Sequence, residues 1–241
     1  MGTRILARRE AIGRNTVFGL LDGDFVEEFA PPRDRPRDWR TSDGTITFGW
    51  RWERKEIENY LLDPAVALPA LNQRGTPSGE SDYQSALEYA RDQIAIYQAA
   101  RTALATSRVR FTDLPSSFGR KHAGGSYLFP DALDQEGCRE GLAATVNSHG
   151  QSQSIKLEDV EQKFSALIPE CLVHGVRHAA FLHAFAGKDL LFMMDAKLRE
   201  YGFPSGRVFL ERVLVGMEQT PDDVSGWVPE WRLLQELVDT V

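Results

Sequence analysis

Thr16-Val17-Phe18-Gly19-Leu20-Leu21-Asp22-Gly23-Asp24-Phe25 carries a mostly apolar run straight into two carboxylates separated by one glycine. An apolar run of this length, bounded by polar residues, predicts a strand buried on both faces, as in a parallel sheet. Side chains alternate along a strand, so Asp22 and Asp24 would share a face and project together from its C-terminal end. Open α/β sheets place their ligands there. Two carboxylates at one strand tip repel each other unless a positive charge lies between them. A hard divalent cation such as Mg²⁺ takes carboxylate oxygens and would meet that need. The same tripeptide also suits a solvated turn, because Asp-Gly is a strong turn pair. An EF-hand loop is excluded: counted from Asp22, the sixth position is Glu27 and the twelfth Arg33, where glycine and glutamate are required. A Walker B strand lacks its partner, since Gly187-Lys188 is far downstream and has no glycine five residues before it.

Upstream of the stretch, residues 3–12 read as a helix closed by Gly13 as its C-cap. A helix followed at once by a central strand is an abrupt start and hints at preceding elements. Downstream, residues 27–44 read as a loop broken by Pro31, Pro32 and Pro36. Between Arg33 and Lys55 seven basic residues face four acidic ones. That excess suits either phosphate positioning or a solvated loop of mixed charge. Residues 45–52 alternate with β-branched and aromatic side chains and predict a second strand. A short helix follows, with Ile57, Leu61 and Leu62 on one face and Pro64 as its stop. Glu58 falls at this strand-to-helix junction, placed to join the carboxylates of the preceding strand or simply to complement a helix dipole.

Residues 72–81 read as a Gly/Pro/Ser linker. Residues 82–106 read as a long helix, apolar at 83, 87, 90, 94, 97, 100 and 104, which suggests an inserted helical lobe. Arg108, Arg110, Arg120, Lys121 and His122 form a second basic group beside Gly119, Gly124 and Gly125, readable as a phosphate contact or a surface loop. Residues 131–146 are weakly helical and 147–154 read as a loop. Residues 157–168 form an amphipathic helix stopped by Pro169. His174 and His178 stand at the i, i+4 spacing a metal would use, although no Glu-Xaa-Xaa framework surrounds them and a packed helix face explains them as well. Gly187 breaks the next apolar run and a helix continues through Tyr201. Lys188 opens it, where a cation opposes the helix dipole, so it is a candidate to neutralise a phosphate or a developing oxyanion. Residues 205–217 and 229–238 predict two closing helices.

Composition sets the outer bounds. With 241 residues the chain is one large domain or a domain with an inserted lobe, long enough for a sizeable core. A net charge of −7 gives no global attraction to nucleic acid, leaving any such binding to local basic patches. Cys138 and Cys171 are far apart, which suits a reducing cytoplasm and opposes a disulfide framework or a zinc site. No apolar stretch approaches the ~18 residues of a membrane span. The basic N-terminus lacks an apolar core, so no secretory signal is expected.

Taken in order, Asp22-Gly23-Asp24-Phe25 at a strand end, Glu56-Ile57-Glu58-Asn59-Tyr60-Leu61-Leu62 after the next strand, and Gly187-Lys188-Asp189-Leu190-Leu191 resemble the Toprim-like nuclease domains. They resemble most the OLD (overcoming lysogenization defect) type and the ATPase-coupled antiphage-defence family that includes the PARIS nuclease-toxin subunit. The resemblance spans residues 16 to 200. It implies an α/β fold: a Toprim-like parallel sheet core with a mostly helical insertion and C-terminal helices, divided as 1–71, 72–156 and 157–241. It also implies phosphodiester hydrolysis of DNA or tRNA with Mg²⁺ or Mn²⁺. Asp22 and Asp24 resemble the family's metal ligands, Glu58 the acid after the next strand, and Lys188 the lysine near the scissile phosphate. An AAA/ABC-type ATPase partner, a homodimer, a cytoplasmic location and no membrane association follow as expectations. The chain departs from the pattern in one respect. The family's glutamate on an earlier strand has no counterpart, since Glu10 lies on a helix. A truncated chain, a degenerate site or a glutamate from a partner would each account for it.

Two other functions fit some of the same residues. Leu20-Leu21-Asp22-Gly23-Asp24-Phe25-Val26 resembles the first motif of haloacid-dehalogenase-type phosphohydrolases, with Asp22 as nucleophile and Asp24 as general acid. That fold needs a late strand ending in paired acids, and Asp222-Asp223 follows no apolar run. A catalytically incomplete Toprim-like module that binds an ATPase is the non-enzymatic alternative.

Overall fold

Thr47–Arg51 (β3) is the middle strand of a small mixed sheet ordered β1-β3-β2. The computed structural model describes residues 2–12, 17–23, 25, 28–33, 35–71, 80–107, 133–149 and 155–240. Gly19–Leu21 (β1) pairs with β3 in parallel, Gly19 opposite Gly49 and Leu21 opposite Arg51. Arg37–Arg40 (β2) pairs with it antiparallel. The first strand is therefore parallel to its neighbour, as expected, but it is not buried on both faces. It is an edge strand, and Leu20 is 45% exposed. Its apolar run is covered on one face only, where the Gly19 backbone packs against Ile5 and the Trp39 ring. Helix Gly2–Ile12 (α1), matching the expected first helix, is fastened across both parallel strands by Arg9. Its guanidinium donates to Val17 O and Thr47 O, both at 2.8 Å.

The stretch expected as a loop over 27–44 contains β2. The hairpin into β3 closes at Asp43-Gly44, where Gly44 N–H donates to Thr41 O at 2.9 Å and Thr41 N–H to Ile46 O at 2.9 Å. An Asp-Gly pair between Trp39 and the alternating residues of β3 is a standard hairpin signal. The prolines before it masked that signal.

Ile57–Leu61 (α2) is the expected short helix, but Ile57 is 38% exposed while Leu61 and Leu62 are buried. Pro64 does not end it. The helix has already stopped at Leu61, and Pro64 opens Pro64–Leu71 (α3), a first-turn position where a missing N–H costs nothing. Glu80–Thr106 (α4) takes in the last two residues of the expected linker. All seven positions of its predicted apolar stripe, from Tyr83 to Leu104, are buried. Gln135–His149 (α5) and Leu157–Cys171 (α6) pack along it. Pro169 lies inside the last turn of α6 and does not stop it: Leu172 N–H still donates to Ile168 O at 3.0 Å. Val176–Ala179 (α7), Phe181–Ala184 (α8), Gly187–Glu200 (α9), Gly206–Gln219 (α10), Pro221–Trp227 (α11) and Pro229–Asp239 (α12) complete the chain. The fold is thus mixed α and β and mostly helical. Asp222 and Asp223 sit exposed in the first turn of α11, away from any strand.

Gly13, Asp24, residues 72–79, the second basic group and residues 150–154 lie outside the described residues. Among the described residues no helix is long and apolar enough to cross a membrane.

One hydrophobic cluster runs through α3, α4, α5, α6, α9 and α10, with α4 at its centre. Leu87 is fully buried there. Leu87→Ala is expected to lower the free energy of unfolding by about 2–5 kcal/mol, the range for a buried leucine that leaves a cavity. A urea titration showing no loss would mean that α4 is not the core helix.

Candidate functional site

The parallel pairing of β1 and β3 brings their C-terminal ends to the same edge of the sheet. Trp52 N–H donates to Leu21 O at 3.0 Å, and Gly23 N–H to Arg54 O at 3.3 Å. A Cβ on Gly23 would stand 2.6 Å from Arg54 O, so only glycine permits this approach. The Asp22-Gly23 pair therefore continues the strand pairing past β1. Asp22 leaves the sheet at the strand tip, as its position in the sequence predicts.

Helix α2 begins a few residues past β3. Its buried Asn59 fixes the junction from both sides. Oδ1 accepts from Glu56 N–H at 3.0 Å, while Nδ2 donates to Phe185 O at 2.9 Å, just before α9. Gly187 then lets α9 dock on α2, since a Cβ there would lie 2.6 Å from Asn59 N and 2.9 Å from Glu58 Cβ. Residues about 130 positions apart are joined by this docking. Lys188 donates through its backbone N–H to Glu56 Oε2 at 2.9 Å and through Nζ to Glu56 Oε1 at 3.3 Å. Its Nζ stands 3.8 Å from Glu58 Oε1.

Asp22, Glu58 and Lys188, three of the four residues singled out from the sequence, are thus brought together; Asp24 lies outside the described residues. Burial raises the Glu58 carboxyl above its usual range, Glu56 and Asp22 push the same way, and Lys188 opposes them. Burial pulls Lys188 down, but Glu56, Glu58 and Asp22 outweigh it and hold the ammonium above its usual range. Glu58 Oε2 is buried without a hydrogen-bond partner. Asp22, Glu56 and Glu58 thus all act on the one ammonium of Lys188. Glu56 was missed in the sequence. It answers the oddly placed lysine, because its carboxylate occupies the helix N-terminus where an anion belongs. The Glu-Xaa-Glu-Asn spacing ahead of a lysine at a helix start was the available signal.

Behind Lys188, Asp189 points into the core. It accepts from Arg101 Nη1 and, at 2.6 Å, from Gln98 Nε2, while Gln98 Oε1 accepts from Ala186 N–H at 2.9 Å. Burial raises the Asp189 carboxyl despite Arg101 beside it.

Elsewhere the sequence candidates take structural roles. His174 occupies a turn at φ 72°, so it and His178 do not share a helix face; His178 Nε2 lies 2.8 Å from Asp92 Oδ1. In the first basic group Arg37 pairs with Glu53, and Arg54 with Asp63 at 2.6 Å. Lys55 is the exception. Its ammonium lies 3.6 Å from the centre of the Phe25 ring, and burial, with Arg177 and Arg101 nearby, pushes it down to about 7. Among the described residues no set of three or more His, Cys, Asp or Glu stands in metal-holding geometry.

The chain matches no protein-family profile, no curated protein and no solved structure. The functional reading therefore rests on the geometry and the residue chemistry.

Two expectations follow. Asp189→Ala leaves the buried Arg101 guanidinium without its carboxylate and is expected to cost about 3–5 kcal/mol in chemical denaturation; a loss below about 1 kcal/mol would remove Asp189 from its supporting role. Lys55 makes a different prediction. Between its folded value of about 7 and the ordinary 10.5, the unfolded chain holds the extra proton, so stability rises with pH from 7. Cys138 and Cys171, both raised to about 12 by burial, act oppositely above pH 9, which makes pH 7–9 the clean window. The Lys55 contribution is at most about 1.4 kcal/mol per pH unit. Subtracting the curve of Lys55→Met from that of the wild type isolates it, and a flat difference would show that the amine is not destabilised.

Proposed function

We propose that the chain is a metal-dependent nuclease with a Toprim-like core, the effector of an ATPase-coupled antiphage defence system. The observation that supports this best is the convergence of Asp22, Glu58 and Lys188 at the tips of two parallel strands. Carboxylates beside a lysine are the groups that metal-dependent phosphodiester hydrolysis uses. The parallel β1–β3 pair fits a Toprim-like sheet, although the sheet among the described residues is small.

The residues present fit Mg²⁺ or Mn²⁺. Their donors are all carboxylate oxygens, and the buried Glu58 Oε2 lacks the partner a cation would supply. Magnesium is commonly held by one or two carboxylates together with substrate phosphates, so Asp22 and Glu58 suffice on the protein side. When bound, such an ion activates water and neutralises charge on the phosphate. Lys188, half exposed and held charged by its neighbours, would approach the non-bridging oxygens of the scissile phosphate and stabilise charge developing there. Glu56 holds that lysine in place through two contacts. DNA and tRNA are both candidate substrates. An AAA/ABC-type ATPase partner, a homodimer and a cytoplasmic location belong to the same proposal.

The test is cleavage of supercoiled DNA and of tRNA with Mg²⁺ or Mn²⁺, with and without the ATPase. Asp22→Ala, Glu58→Gln and Lys188→Met are each expected to lose about 10²-fold or more in rate while keeping a wild-type circular dichroism spectrum. Mg²⁺ is expected to raise the melting temperature of the wild type but not of Asp22→Ala. Cleavage that survives all three substitutions would sink the assignment. No cleavage by the wild type, even with the ATPase, would favour a catalytically incomplete binding module.

A further inference from the structure

Beside the β3 tip lies a second feature, a cavity that holds a buried lysine. The cavity, of about 80 Å³, opens beside Gly23, lined among others by Lys55, Arg51, Arg37 and His183, with Glu53 and Glu28 as its acids among the described residues. Lys55 is only 4% exposed, and among the described residues no carboxylate forms an ion pair with its amine. Glu53, two residues before it, is already committed. It accepts from Arg37, with Nη2 at 3.1 Å, and from Arg33 N–H at 3.3 Å. Glu56, the next residue, is held by Lys188. Two more cations face Lys55 from behind, Arg101 of α4 and Arg177 of α7, each with its own acid, Asp189 and Glu170. The thiol of Cys171 on α6 also faces it. A buried ammonium in such surroundings carries a desolvation penalty that an incoming anion would offset.

We propose that this cavity binds a terminal phosphate group, that is, a phosphomonoester, with Lys55 as its principal contact. Size and charge select that ligand. One water needs about 10–15 Å³ of such volume, so the cavity holds a tetrahedral group of several oxygens. It is far below the ~300 Å³ of a pocket for a nucleoside or other drug-sized ligand. A phosphodiester would have to thread two substituents through the opening, whereas a monoester needs one. A dianion also answers the Lys55 ammonium better than a monoanion does. The group could be free phosphate or the phosphorylated end of a nucleic acid strand. In the second case the strand would leave the cavity past Gly23 and run directly by Asp22. Phosphate binding does not depend on the nuclease reading and is measured without metal, so the two can fail separately.

The experiment uses the full chain in chelator. Inorganic phosphate, compared with chloride at equal ionic strength, is expected to raise the melting temperature of the wild type and to give a calorimetric binding isotherm. Lys55→Met, which removes a destabilised cation and is expected to fold, loses both. Fluorescence anisotropy of a 5′-phosphorylated, a 3′-phosphorylated and an unphosphorylated single-stranded oligonucleotide identifies the source. About tenfold tighter binding of one phosphorylated strand, lost in Lys55→Met, assigns the site to a strand end. Equal binding of all three strands, with phosphate still bound through Lys55, assigns it to free phosphate. No response of the wild type to phosphate or to either phosphorylated end would overturn the proposal, as would wild-type binding by Lys55→Met.

Discussion

The buried contact of Asp189 with Arg101 and Gln98 is the constraint on which the site depends. Helix α4 runs through the hydrophobic cluster, and Gln98 and Arg101 are buried polar residues among its apolar ones. By gripping the first turn of α9, that pair fixes where the turn begins and which way it faces. Lys188 and Asp189 are consecutive, so anchoring the aspartate inward sends the lysine outward, toward Glu56 and Glu58. Burial raises Asp189 even beside an arginine, which means the contact adds little to net stability. It specifies position: breaking one partner is costly, whereas an apolar replacement of the whole group would fold without placing Lys188.

The sheet contributes little area but sets the geometry. Three short strands could not form a stable unit alone. Arg9 ties α1 to both parallel strands, and Glu230 on α12 reaches Glu53 N–H at 2.8 Å and the Tyr60 hydroxyl, closing the sheet from the other end of the chain. Because β1 and β3 are parallel, their outgoing residues meet at one edge. An antiparallel pair would have sent Asp22 and Glu58 to opposite edges, and no later packing could have rejoined them.

Helix periodicity carried most of what the sequence revealed. The stripe of α4 was readable because a long helix repeats its burial pattern seven times, and local exceptions average out. Asp22 and Lys188 were readable because each sits at the end of an element, in a setting its charge does not favour. The strand β2 was obscured by prolines that happen to precede it. The exposure of Leu20 could not be read at all, since it depends on which side of β1 receives a neighbour, a property of the whole fold. Glu56 and Lys55 were passed over for a related reason: in sequence they belong to a charged run, and charged runs are usually solvated.

That run, Glu53 to Asn59, is where composition and burial disagree most. Glu53, Lys55, Glu56 and Asn59 are buried, and Arg54 is half-buried. Each leaves the backbone toward a different partner: Glu53 to Arg37, Arg54 to Asp63, Lys55 to the Phe25 ring, Glu56 to Lys188, Asn59 to the Phe185 carbonyl. Buried charge is costly and rarely persists without a partner. In this junction the partners come from β2, α9 and connecting segments, so they meet only when the whole fold is assembled. Among the described residues of this run, Glu58 Oε2 is the buried side-chain atom left without a hydrogen-bond partner. Under the proposed function, that oxygen is the acceptor a cation would meet.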